Sequence, residues 1–376
     1  MNHELRTNNK PETEQVATHF HKLTIKDIRN ETVECVSISF HVPDELKEAF
    51  KFIHGQNITI RTNINNEEIR RSYSICSSPL ENELRIAVKK IVGGKFSAYV
   101  ETLKKNNELE VLPPTGKFYT QLNPSNKKKY IAFAAGSGIT PIISIVKTTL
   151  AIEPNSSFTL IYGNKNRSSI IFKEELEAIK NKYMNRFALH HILSREKTDA
   201  PINNGRINAE KCDELNAKLI DIKNADEFFI CGPEQMIFSV KDWLEKNEID
   251  KKKIHFELFT VPGQQIAIQH SPFTIHPKTF EGKTSEVTVK LDGITFNFDL
   301  LYNAETILDA ALKQGADLPF ACKGGVCSTC RAKLIEGKVE MEHNYALEPD
   351  ELEKGFILTC QSHPRTEKVV IDFDVK

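Results

Sequence analysis

Four cysteines near the end of the chain constrain its fold more than any other feature. Three of them lie in Cys322-Lys-Gly-Gly-Val-Cys327-Ser-Thr-Cys330, and the fourth, Cys360, stands in Leu-Thr-Cys-Gln. The spacing C-x4-C-x2-C…C is typical of plant-type [2Fe–2S] clusters, in which four thiolates converge on two irons. The two glycines in the run leave the backbone free to wrap closely around such a cluster. We therefore predict that Cys322, Cys327, Cys330 and Cys360 are the ligands of a [2Fe–2S] cluster.

A four-cysteine zinc site is the main alternative for these residues. Structural zinc sites usually consist of two short C-x2–4-C knuckles. Cys322 and Cys327 are more widely spaced than that, and Cys360 stands alone. The sequence therefore favours iron and sulfur over zinc.

The remaining sequence indicates a reducing setting. The polar start of the chain lacks the apolar core of a secretory signal, and no apolar run approaches the roughly 18–20 residues of a membrane span. We therefore expect a cytoplasmic protein, where clustered cysteines serve metal or redox chemistry more often than disulfides. The isolated cysteines Cys35, Cys76 and Cys212 are interpreted as structural. No basic stripe with interleaved aromatic residues indicates nucleic-acid binding.

A length of 376 residues predicts two or three domains. Residues 1–17 are polar and predict a disordered tail. Residues 18–126 contain short strands separated by turns, which is typical of an antiparallel β-barrel. In residues 127–260 strands alternate with helices, which indicates an α/β domain with a parallel sheet. Residues 261–285 lack periodicity and predict a linker, and residues 286–376 form a third unit around the cysteines.

Alternation and turn residues predict the individual elements of each unit. The first unit has strands Leu23–Ile28, Glu34–His41, Asn57–Asn63, Arg71–Ser77 and Leu84–Ile91. The second has strands Tyr130–Ala135, Phe158–Tyr162, Phe187–Leu193 and Glu227–Cys231, with helices Ile142–Ala151, Ser169–Lys182, Asn208–Leu219 and Glu234–Lys246. The third has strands Val287–Leu291, Thr295–Asp299 and Lys368–Phe373, with helix Glu305–Gln314.

Charge is distributed unevenly between the units. From residue 287 onward there are ten Lys/Arg and fifteen Asp/Glu, a net charge of −5, whereas the rest of the chain carries forty Lys/Arg and thirty-six Asp/Glu, a net charge of +4. Random scatter is one interpretation of this difference. The other is an acidic module that docks on a basic one.

The run Arg71-Ser72-Tyr73-Ser74 resembles the R-x-Y-S motif of the ferredoxin–NADP reductase family. The resemblance implies that Arg71 meets the pyrophosphate of FAD, that Tyr73 packs on the flavin ring and that Ser74 bonds near the ring. The residue types suit these tasks, because Arg offers a planar fork to phosphate and Tyr combines a stacking face with a polar tip. Taken alone, such a motif is explained equally well by a Tyr in the core of a strand beside an Arg on the surface.

A second run, Gly93-Gly94-Lys95-Phe96-Ser97, resembles the second phosphate loop of the same family. The resemblance implies that Gly94, Phe96 and Ser97 contact FAD. Glycines before a helix N-terminus leave N–H groups free for an anion, although a simple Gly-Gly turn is the plainer interpretation.

Residues 286–376 in turn resemble a plant-type ferredoxin, which implies a β-grasp fold.

The α/β unit carries two further motifs of this family. The first is Gly136-Ser137-Gly138-Ile139-Thr140-Pro141 after a strand, and the second is Cys231-Gly232-Pro233-Glu234-Gln235-Met236. Glycines after a strand permit close approach of the backbone to a pyrophosphate at a helix N-terminus. The resemblance implies that Gly136, Gly138, Thr140, Pro141, Gly232, Pro233 and Met236 bind the nicotinamide nucleotide.

The resemblance also supplies three catalytic residues. Cys231 lies near the path of the hydride, and Glu257-Leu258-Phe259 matches the E-x-F ending of relatives, in which Phe259 covers the flavin until nicotinamide displaces it. The plainer interpretations are a buried small residue for Cys231 and a final core strand for the segment around Glu257 and Phe259.

Cofactor preference rests on Ser194-Arg195-Glu196, which resembles the S-R-E pattern that binds the 2′-phosphate of NADP. An NAD-dependent enzyme would favour an acidic residue toward the ribose hydroxyls instead. Arg167 adds positive charge nearby or is simply a surface residue. The family pattern therefore implies NADPH, bound by Ser194, Arg195 and Arg167.

Together the motifs imply an electron-transfer reductase. In this family a hydride from NADPH supplies two electrons, FAD mediates, and the [2Fe–2S] cluster passes electrons singly to an oxygenase component. The runs Arg71–Pro79, Tyr162–Asn164 and Asn344–Glu351 are similar to those of reductase subunits of ring-epoxidising phenylacetyl-CoA monooxygenases, which implies a diiron oxygenase partner. Reductases of ketosteroid and other ring hydroxylases share the architecture. A stand-alone diaphorase or ferric reductase and a non-enzymatic redox sensor remain alternatives.

Overall fold

The computed structural model describes residues 19–259 and 282–375. The predicted tail, 1–17, and the predicted linker up to residue 281 lie outside the described residues. Within the described part, three sheets of five or six strands and one two-stranded ribbon form three successive units. This is the predicted fold class of a β-barrel, an α/β domain and a third, cysteine-bearing domain.

The first unit is an antiparallel barrel. Its elements are β1 (His21–Thr32), β2 (Cys35–His41), β3 (Asn57–Ile64), β4 (Glu67–Ser74), β5 (Leu84–Lys89), α1 (Lys95–Tyr99) and β6 (Glu108–Val111). The strands are ordered β4-β3-β6-β1-β2-β5, and a bridge between Ile75 and Ile86 joins the two ends of the sheet. Buried Leu, Ile, Val and Phe side chains from all six strands fill the interior.

The strand that carries the R-x-Y-S motif differs from its prediction. β4 begins at Glu67 and ends at Ser74, whereas the sequence predicted Arg71–Ser77. Asn65 and Asn66 both adopt left-handed backbone angles, with φ of 52° and 63°, as a tight hairpin turn requires. This turn pairs β4 with β3 immediately after Asn66. The motif therefore occupies the last four positions of the strand.

The second unit is a five-stranded parallel sheet ordered β11-β10-β7-β8-β9. Its elements are β7 (Lys129–Ala135), α2 (Ile139–Ile152), β8 (Ser157–Asn164), α3 (Lys173–Lys182), β9 (Phe187–Leu193), α4 (Ala209–Lys218), β10 (Glu227–Gly232), α5 (Glu234–Lys246) and β11 (Ile254–Leu258). Helix α2 begins three residues before its prediction, because the turn Gly136–Gly138 leads directly into it.

Helices cover both faces of this sheet. Apolar residues of α2 and α3 pack on one face, and those of α4 and α5 pack on the other. The strand order reverses between β7 and β10, so the loops after these strands leave the sheet on opposite sides. In doubly wound sheets ligands bind at the carboxyl ends of the strands at this switch point.

The third unit is a mixed sheet ordered β13-β12-β18-β14-β16, with a two-stranded ribbon of β15 and β17. Its elements are β12 (Thr284–Leu291), β13 (Ile294–Leu301), α6 (Ile307–Lys313), β14 (Arg331–Glu336), β15 (Val339–Met341), α7 (Pro349–Glu353), β16 (Phe356–Leu358), β17 (Ser362–Pro364) and β18 (Lys368–Asp372). Apolar residues of α6 pack into the core of this sheet.

The start of the third unit corrects the predicted linker boundary at residue 285. Thr284 and Ser285 already belong to β12, where Ser285 is fully buried and pairs with Leu300. The alternation of buried Ser285, Val287 and Val289 explains the longer strand, because a serine can occupy an inward position. Among the described residues, no helix is long and apolar enough to span a bilayer.

Candidate redox site

The three units meet at an open cleft with a water-accessible volume of about 70 Å³. The barrel contributes Arg71, Ser72 and Ser74 from β4, and the parallel sheet contributes the end of β11. The third unit contributes the cluster loop, which we define as residues 321–330. The sequence predicted these segments as parts of three separate domains. The structure brings them around one cavity.

The barrel wall of the cleft is formed by the second half of the R-x-Y-S strand. The Arg71 guanidinium donates a 2.6 Å hydrogen bond to the carbonyl oxygen of Arg70 and lines the cleft. Tyr73 does not line this cleft, and its ring packs against Phe96 with centroids 5.3 Å apart. Burial raises the pKa of Tyr73, so its hydroxyl stays protonated. Tyr73 and Arg71 occupy the same face of β4 because they are two residues apart.

Hydrogen bonds of Ser97 stabilise the predicted phosphate loop, residues 93–97. The Ser97 hydroxyl accepts a 3.1 Å hydrogen bond from the Ile91 N–H and lies 3.1 Å from the Gly94 carbonyl oxygen, to which it can donate. A Cβ at Gly94 would lie 2.6 Å from the Ser97 hydroxyl, so a larger residue there would displace this hydroxyl. Phe96 is fully buried in the barrel core, where it supports Tyr73. Of the three predicted contacts, Gly94 is therefore the most accessible and Phe96 the least.

A hydrogen bond crosses the cleft between the barrel and the parallel sheet. Ser74 donates to Glu257 at 2.8 Å. Burial raises the pKa of Glu257 to about 7, while the Ser74 hydroxyl opposes that rise. Cys231 pairs with Glu257 in the parallel register of β10 and β11, and burial raises the pKa of its thiol. Phe259, one residue beyond β11, lines the cleft and is 40% exposed.

The glycine motifs of the parallel sheet bring two loops into contact. A Cβ at Gly138 would lie 2.1 Å from the Cys231 carbonyl oxygen, and a Cβ at Gly232 would lie 2.7 Å from the Met236 methyl group. Gly136 adopts φ of +55°, and its carbonyl oxygen accepts a 2.9 Å hydrogen bond from the Tyr162 hydroxyl. These glycines let the loops after β7 and β10 close on each other at the switch point.

Thr140, Pro141 and Pro233 complete these turns. The Thr140 hydroxyl donates to the Ser137 carbonyl oxygen at 3.0 Å, and Thr140 and Pro141 are buried in the first turn of α2. Pro233 immediately precedes α5. All three residues shape the backbone of the predicted nucleotide site.

The predicted 2′-phosphate residues lie at the carboxyl end of β9. Ser194 and Arg195 are exposed, and their N–H groups donate to the carbonyl oxygens of Asn164 and Lys165 at 2.9 and 2.8 Å. Arg167 approaches the same turn but pairs with Glu196 at 2.7 Å. Glu196 therefore partly neutralises Arg167, and of these two arginines Arg195 is the more available for a ligand.

The four predicted ligand cysteines are arranged as two pairs. The thiols of Cys322 and Cys327 interact with each other, and so do those of Cys330 and Cys360. Two pairs of thiolates are what two irons require. Within residues 19–259 and 282–375, no group of three or more His, Cys, Asp or Glu converges on a single ion.

The backbone of the cluster loop also fits a [2Fe–2S] cluster. The Gly324 N–H donates to the Cys322 sulfur at 3.3 Å. Gly325 has φ of +72°, and a Cβ there would lie 2.9 Å from the His343 carbonyl oxygen. Lys323 and Ser328 adopt left-handed angles as well. The loop is therefore tightly curved, with N–H groups turned toward sulfur.

Sequence reasoning missed several residues around the cleft. The hydroxyls of Thr59 and Thr329 lie 3.4 Å apart, across the boundary between the barrel and the third unit. Gln361 is buried and donates to the Lys323 carbonyl oxygen at 2.9 Å. The position of Gln361 directly after Cys360 is a signal that was available in the sequence. The contact of Thr59 with Thr329 joins residues far apart in the chain and carries no such signal.

Comparison with protein families matches each of the three units. An oxidoreductase FAD-binding domain matches residues 22–119, an oxidoreductase NAD-binding domain matches residues 133–242, and a 2Fe–2S iron-sulfur cluster binding domain matches residues 289–365. Each match lies inside one of the predicted units. The chain is therefore an oxidoreductase that combines a flavin domain, a pyridine-nucleotide domain and an iron–sulfur domain.

Curated relatives match nearly the whole chain. A subunit of the 1,2-phenylacetyl-CoA epoxidase of Escherichia coli (strain K12) is 45% identical over 96% of this chain and 99% of its own. The "3-ketosteroid-9-alpha-monooxygenase, ferredoxin reductase component" of Rhodococcus rhodochrous is 32% identical over 93% and 96%. The chain belongs to the family of FAD-, NAD- and 2Fe–2S-binding reductases that contains these proteins.

A solved structure has the same architecture. The phthalate dioxygenase reductase, described as "a modular structure for electron transfer from pyridine nucleotides to [2Fe–2S]", aligns with 94% of this chain and 98% of its own. The TM-score is 0.54 and the sequence identity is 21%, so this likeness concerns the fold.

Proposed function

We propose that this protein is the NADPH-dependent reductase component of a multicomponent monooxygenase. It takes a hydride from NADPH and delivers electrons one at a time, by way of FAD and the [2Fe–2S] cluster, to an oxygenase component. The observation that carries the proposal is the shared cleft, in which the flavin strand β4, the end of β11 and the cluster loop face one another. We place this chemistry in the cytoplasm, since unpaired cysteines persist in a reducing setting.

The barrel and the third unit supply the residues for the resident cofactors. Arg71 and the loop around Gly94 would hold the FAD pyrophosphate, with Ser97 bracing that loop, and Tyr73 supported by Phe96 would pack on the flavin. Cys322, Cys327, Cys330 and Cys360 would hold the cluster. Bound FAD accepts two electrons together and releases them singly, which matches a hydride donor to a one-electron acceptor.

The chain's own task is to position and shield the reacting groups. Ser74 and Glu257 hold the barrel against the parallel sheet at the cleft. The close approach of Gly138 to the Cys231 carbonyl oxygen shapes the part of the site that would bind nicotinamide. Phe259 is exposed at the mouth of the cleft and can yield its place to nicotinamide. Hydride transfer needs the reacting atoms at about 3–3.5 Å, and no general base is required.

NADPH is proposed as the donor because Arg195 is exposed at the end of β9 beside Ser194. A guanidinium there can form a charge-assisted bond to a 2′-phosphate. The pairing of Arg167 with Glu196 reduces the part that Arg167 plays. NADH is the second candidate, and Glu196 is the observation that favours it, since an acidic residue near the ribose suits its hydroxyls.

The proposed acceptor is a diiron oxygenase that epoxidises phenylacetyl-CoA during phenylacetate degradation. Its support is the 45% identity to the relative named for that epoxidase, against 32% for the relative named for ketosteroid hydroxylation. A reductase of a ketosteroid or other ring hydroxylase is the alternative acceptor assignment. A stand-alone diaphorase is the remaining one.

One reconstitution experiment tests these assignments. The purified protein is analysed for released flavin, iron and zinc, and NADPH oxidation is then followed with and without the purified oxygenase part of a phenylacetyl-CoA epoxidase. We expect FAD, about two irons per chain, and NADPH oxidation coupled to epoxide formation. FMN alone, or zinc without iron, would contradict the cofactor assignment. Full NADPH oxidation that never couples to the oxygenase would contradict the acceptor assignment.

A further inference from the structure

Ion pairs join the iron–sulfur domain to the barrel. In each of them the barrel supplies the cation and the iron–sulfur domain supplies the anion. Arg70 of β4 is only 5% exposed and donates to the Asp317 carboxylate at 2.7 Å and to the Leu318 carbonyl oxygen at 3.0 Å. Arg61 of β3 donates to the other Asp317 oxygen at 3.2 Å. Burial raises the pKa of Asp317, but its bonds to Arg70 and the nearby charges outweigh this and hold it below its usual value.

A second ion pair of the same polarity joins the barrel unit to α7. The ammonium of Lys117, which follows the barrel strands, lies 2.8 Å from the carboxylate of Glu351 in α7. The Glu351 side chain is 3% exposed and also lies 2.9 Å from Arg331, which directly follows Cys330. We call Asp317 and Glu351 the acidic rim.

Both members of the acidic rim contact the barrel unit. The Thr59 and Thr329 hydroxyls also lie 3.4 Å apart across the boundary between the barrel and the third unit. Cys322 and Cys327 line the cleft in this arrangement. The same docking that brings the cluster loop to the flavin site therefore covers that face of the loop with the barrel.

The contact with the barrel is largely polar and charged. Its aromatic member Phe320 stacks under the Arg70 guanidinium, with the ring centroid 4.2 Å away, so even this contact depends on charge. Polar interfaces between domains resemble transient protein–protein interfaces. The net charges, −5 from residue 287 onward and +4 for the rest of the chain, also favour docking of the third unit on the rest of the chain.

We propose that the acidic rim is an interaction surface used twice: it docks on Arg61, Arg70 and Lys117 to load the cluster, and it then docks on a basic surface of the one-electron acceptor protein. The inference deepens the proposed function and rests on it. An acceptor must approach the cluster loop closely. Asp317 precedes this loop in the chain, and Glu351 pairs with Arg331, which directly follows it. A basic surface on the acceptor would contact Asp317 and Glu351 as the barrel cations do in the docked state.

The test separates loading from delivery. Loading is followed by anaerobic stopped flow as the cluster is reduced after NADPH is mixed with the holoprotein. For delivery, the cluster is first reduced with dithionite and the excess dithionite is removed by anaerobic desalting. The reduced protein is then mixed with cytochrome c, a basic haem protein, so that one electron passes from the cluster to the ferric haem. Small-angle X-ray scattering of the resting protein reports docking without any electron transfer.

Variants on the two sides of the contact should behave differently. Asp317→Asn, alone and with Glu351→Gln, should slow both loading and delivery by about tenfold at low salt. Arg70→Gln with Lys117→Gln should slow loading and enlarge the radius of gyration, yet leave delivery unchanged or faster, because the acidic rim is then free. The control Glu336→Gln removes the same charge from an exposed ion pair with Lys368 in the sheet and should change neither rate.

Each outcome of these measurements either supports or contradicts the proposal. Normal delivery by Asp317→Asn would overturn the double use of the rim, and normal loading by both sets of variants would overturn docking through these ion pairs. Asp317 is 68% exposed, so its single variant remains informative if Glu351→Gln fails to fold. Failure of NADPH to reduce the unaltered protein would instead contradict the proposed function, while the scattering and the dithionite experiment would still report on the rim.

Discussion

The Ser74 hydroxyl donates a 2.8 Å hydrogen bond to the Glu257 carboxylate and so joins the last residue of β4 to the fourth residue of β11. The two residues belong to different domains, and both line the cleft. Glu257 is also the register partner of Cys231. We propose that this bond orients β4 relative to the end of β11 at the point where the flavin and the nicotinamide would meet.

Loss of this bond should slow hydride transfer. Glu257→Ala removes the acceptor of the Ser74 hydroxyl, and a small displacement of the two rings is expected to cost roughly tenfold to a hundredfold in rate. Glu257→Gln keeps an acceptor oxygen and should retain most of the rate. Bleaching of the flavin after mixing with NADPH in a stopped-flow instrument measures the step.

The control is Thr288→Ala in β12, because the Thr288 hydroxyl is exposed and bonds only across the sheet to Asn297, at 2.8 Å. It should leave the rate of hydride transfer close to that of the unaltered protein. Equal rates for Glu257→Ala and the unaltered protein would show that the bond does not position the rings.

Arg195 should determine the preference for NADPH. Its side chain is exposed at the predicted 2′-phosphate site, and a charge-assisted bond to phosphate contributes about 1.5–3 kcal/mol, or roughly tenfold to a hundredfold in affinity. We expect Arg195→Ala to raise the KM for NADPH by this factor and to leave the KM for NADH nearly unchanged. Steady-state kinetics with ferricyanide as the acceptor measures both constants.

Arg167→Ala is the matched comparison. Arg167 already pairs with Glu196 at 2.7 Å, so its removal should raise the KM for NADPH by a smaller factor than Arg195→Ala does. A parallel loss for both nucleotides in Arg195→Ala would mean that Arg195 binds a part of the nucleotide that NADH shares.

The sequence was a sufficient guide to the fold class because each unit has a local signature. Alternation around Asn57–Ile64, the β–α alternation that follows Tyr130 and the spacing of Cys322, Cys327 and Cys330 are all local patterns. Short strands without such a pattern, such as β15 and β17, were not predicted. Their pairing depends on contacts between distant segments, for example Glu340 with His363.

Motifs predicted the candidate site residues one by one but not their assembly around one cleft. They singled out Ser74, Glu257 and the four cysteines separately, but nothing in the sequence relates Ser74 to Glu257 across 183 positions or Arg70 to Asp317 across 247. Such contacts arise only when whole domains pack. The role of Phe96 also depended on tertiary structure, since a Phe in a glycine loop is compatible with both the ligand site and the barrel core in which it lies.

Gln361 should tune the cluster. The nitrogen of its side-chain amide lies 2.9 and 2.8 Å from the Lys323 and Cys360 carbonyl oxygens and 3.7 Å from the Cys360 sulfur, so its two hydrogens are shared among three acceptors, one of them sulfur. Hydrogen bonds to cluster sulfurs raise the reduction potential. Because one net hydrogen bond is worth about 0.5–1.5 kcal/mol, Gln361→Leu should lower the midpoint potential by roughly 20–60 mV.

Redox titration followed by electron paramagnetic resonance measures this shift, and the iron content reports cluster retention. Gln314→Leu, at an exposed position after α6, is the control and should leave the potential unchanged. An unchanged potential in a fully loaded Gln361→Leu protein would show that the amide only supports the backbone of the loop.

His191 should make the nucleotide-binding domain sensitive to acid. It lies in β9 with its Nδ1 atom buried and lacking a hydrogen-bond partner among the described residues, and burial lowers its pKa from 6.5 to about 4. Between these two values the unfolded chain binds a proton that the folded chain does not, so the free energy of unfolding falls as pH falls from 6.5 toward 4. The loss at pH 5 is roughly 2 kcal/mol at most.

Substitution of this histidine separates its contribution from the rest of the acid response. His191→Gln should remove this part of the pH dependence, whereas His41→Gln, at an exposed position, should not. Urea unfolding followed by the fluorescence of Trp243, the single tryptophan of the chain and buried in the same domain, measures the effect. If the unaltered protein and His191→Gln lose stability equally between pH 6.5 and 5, the acid sensitivity arises from other groups, because a glutamine cannot take up the proton that the unfolded chain binds through His191.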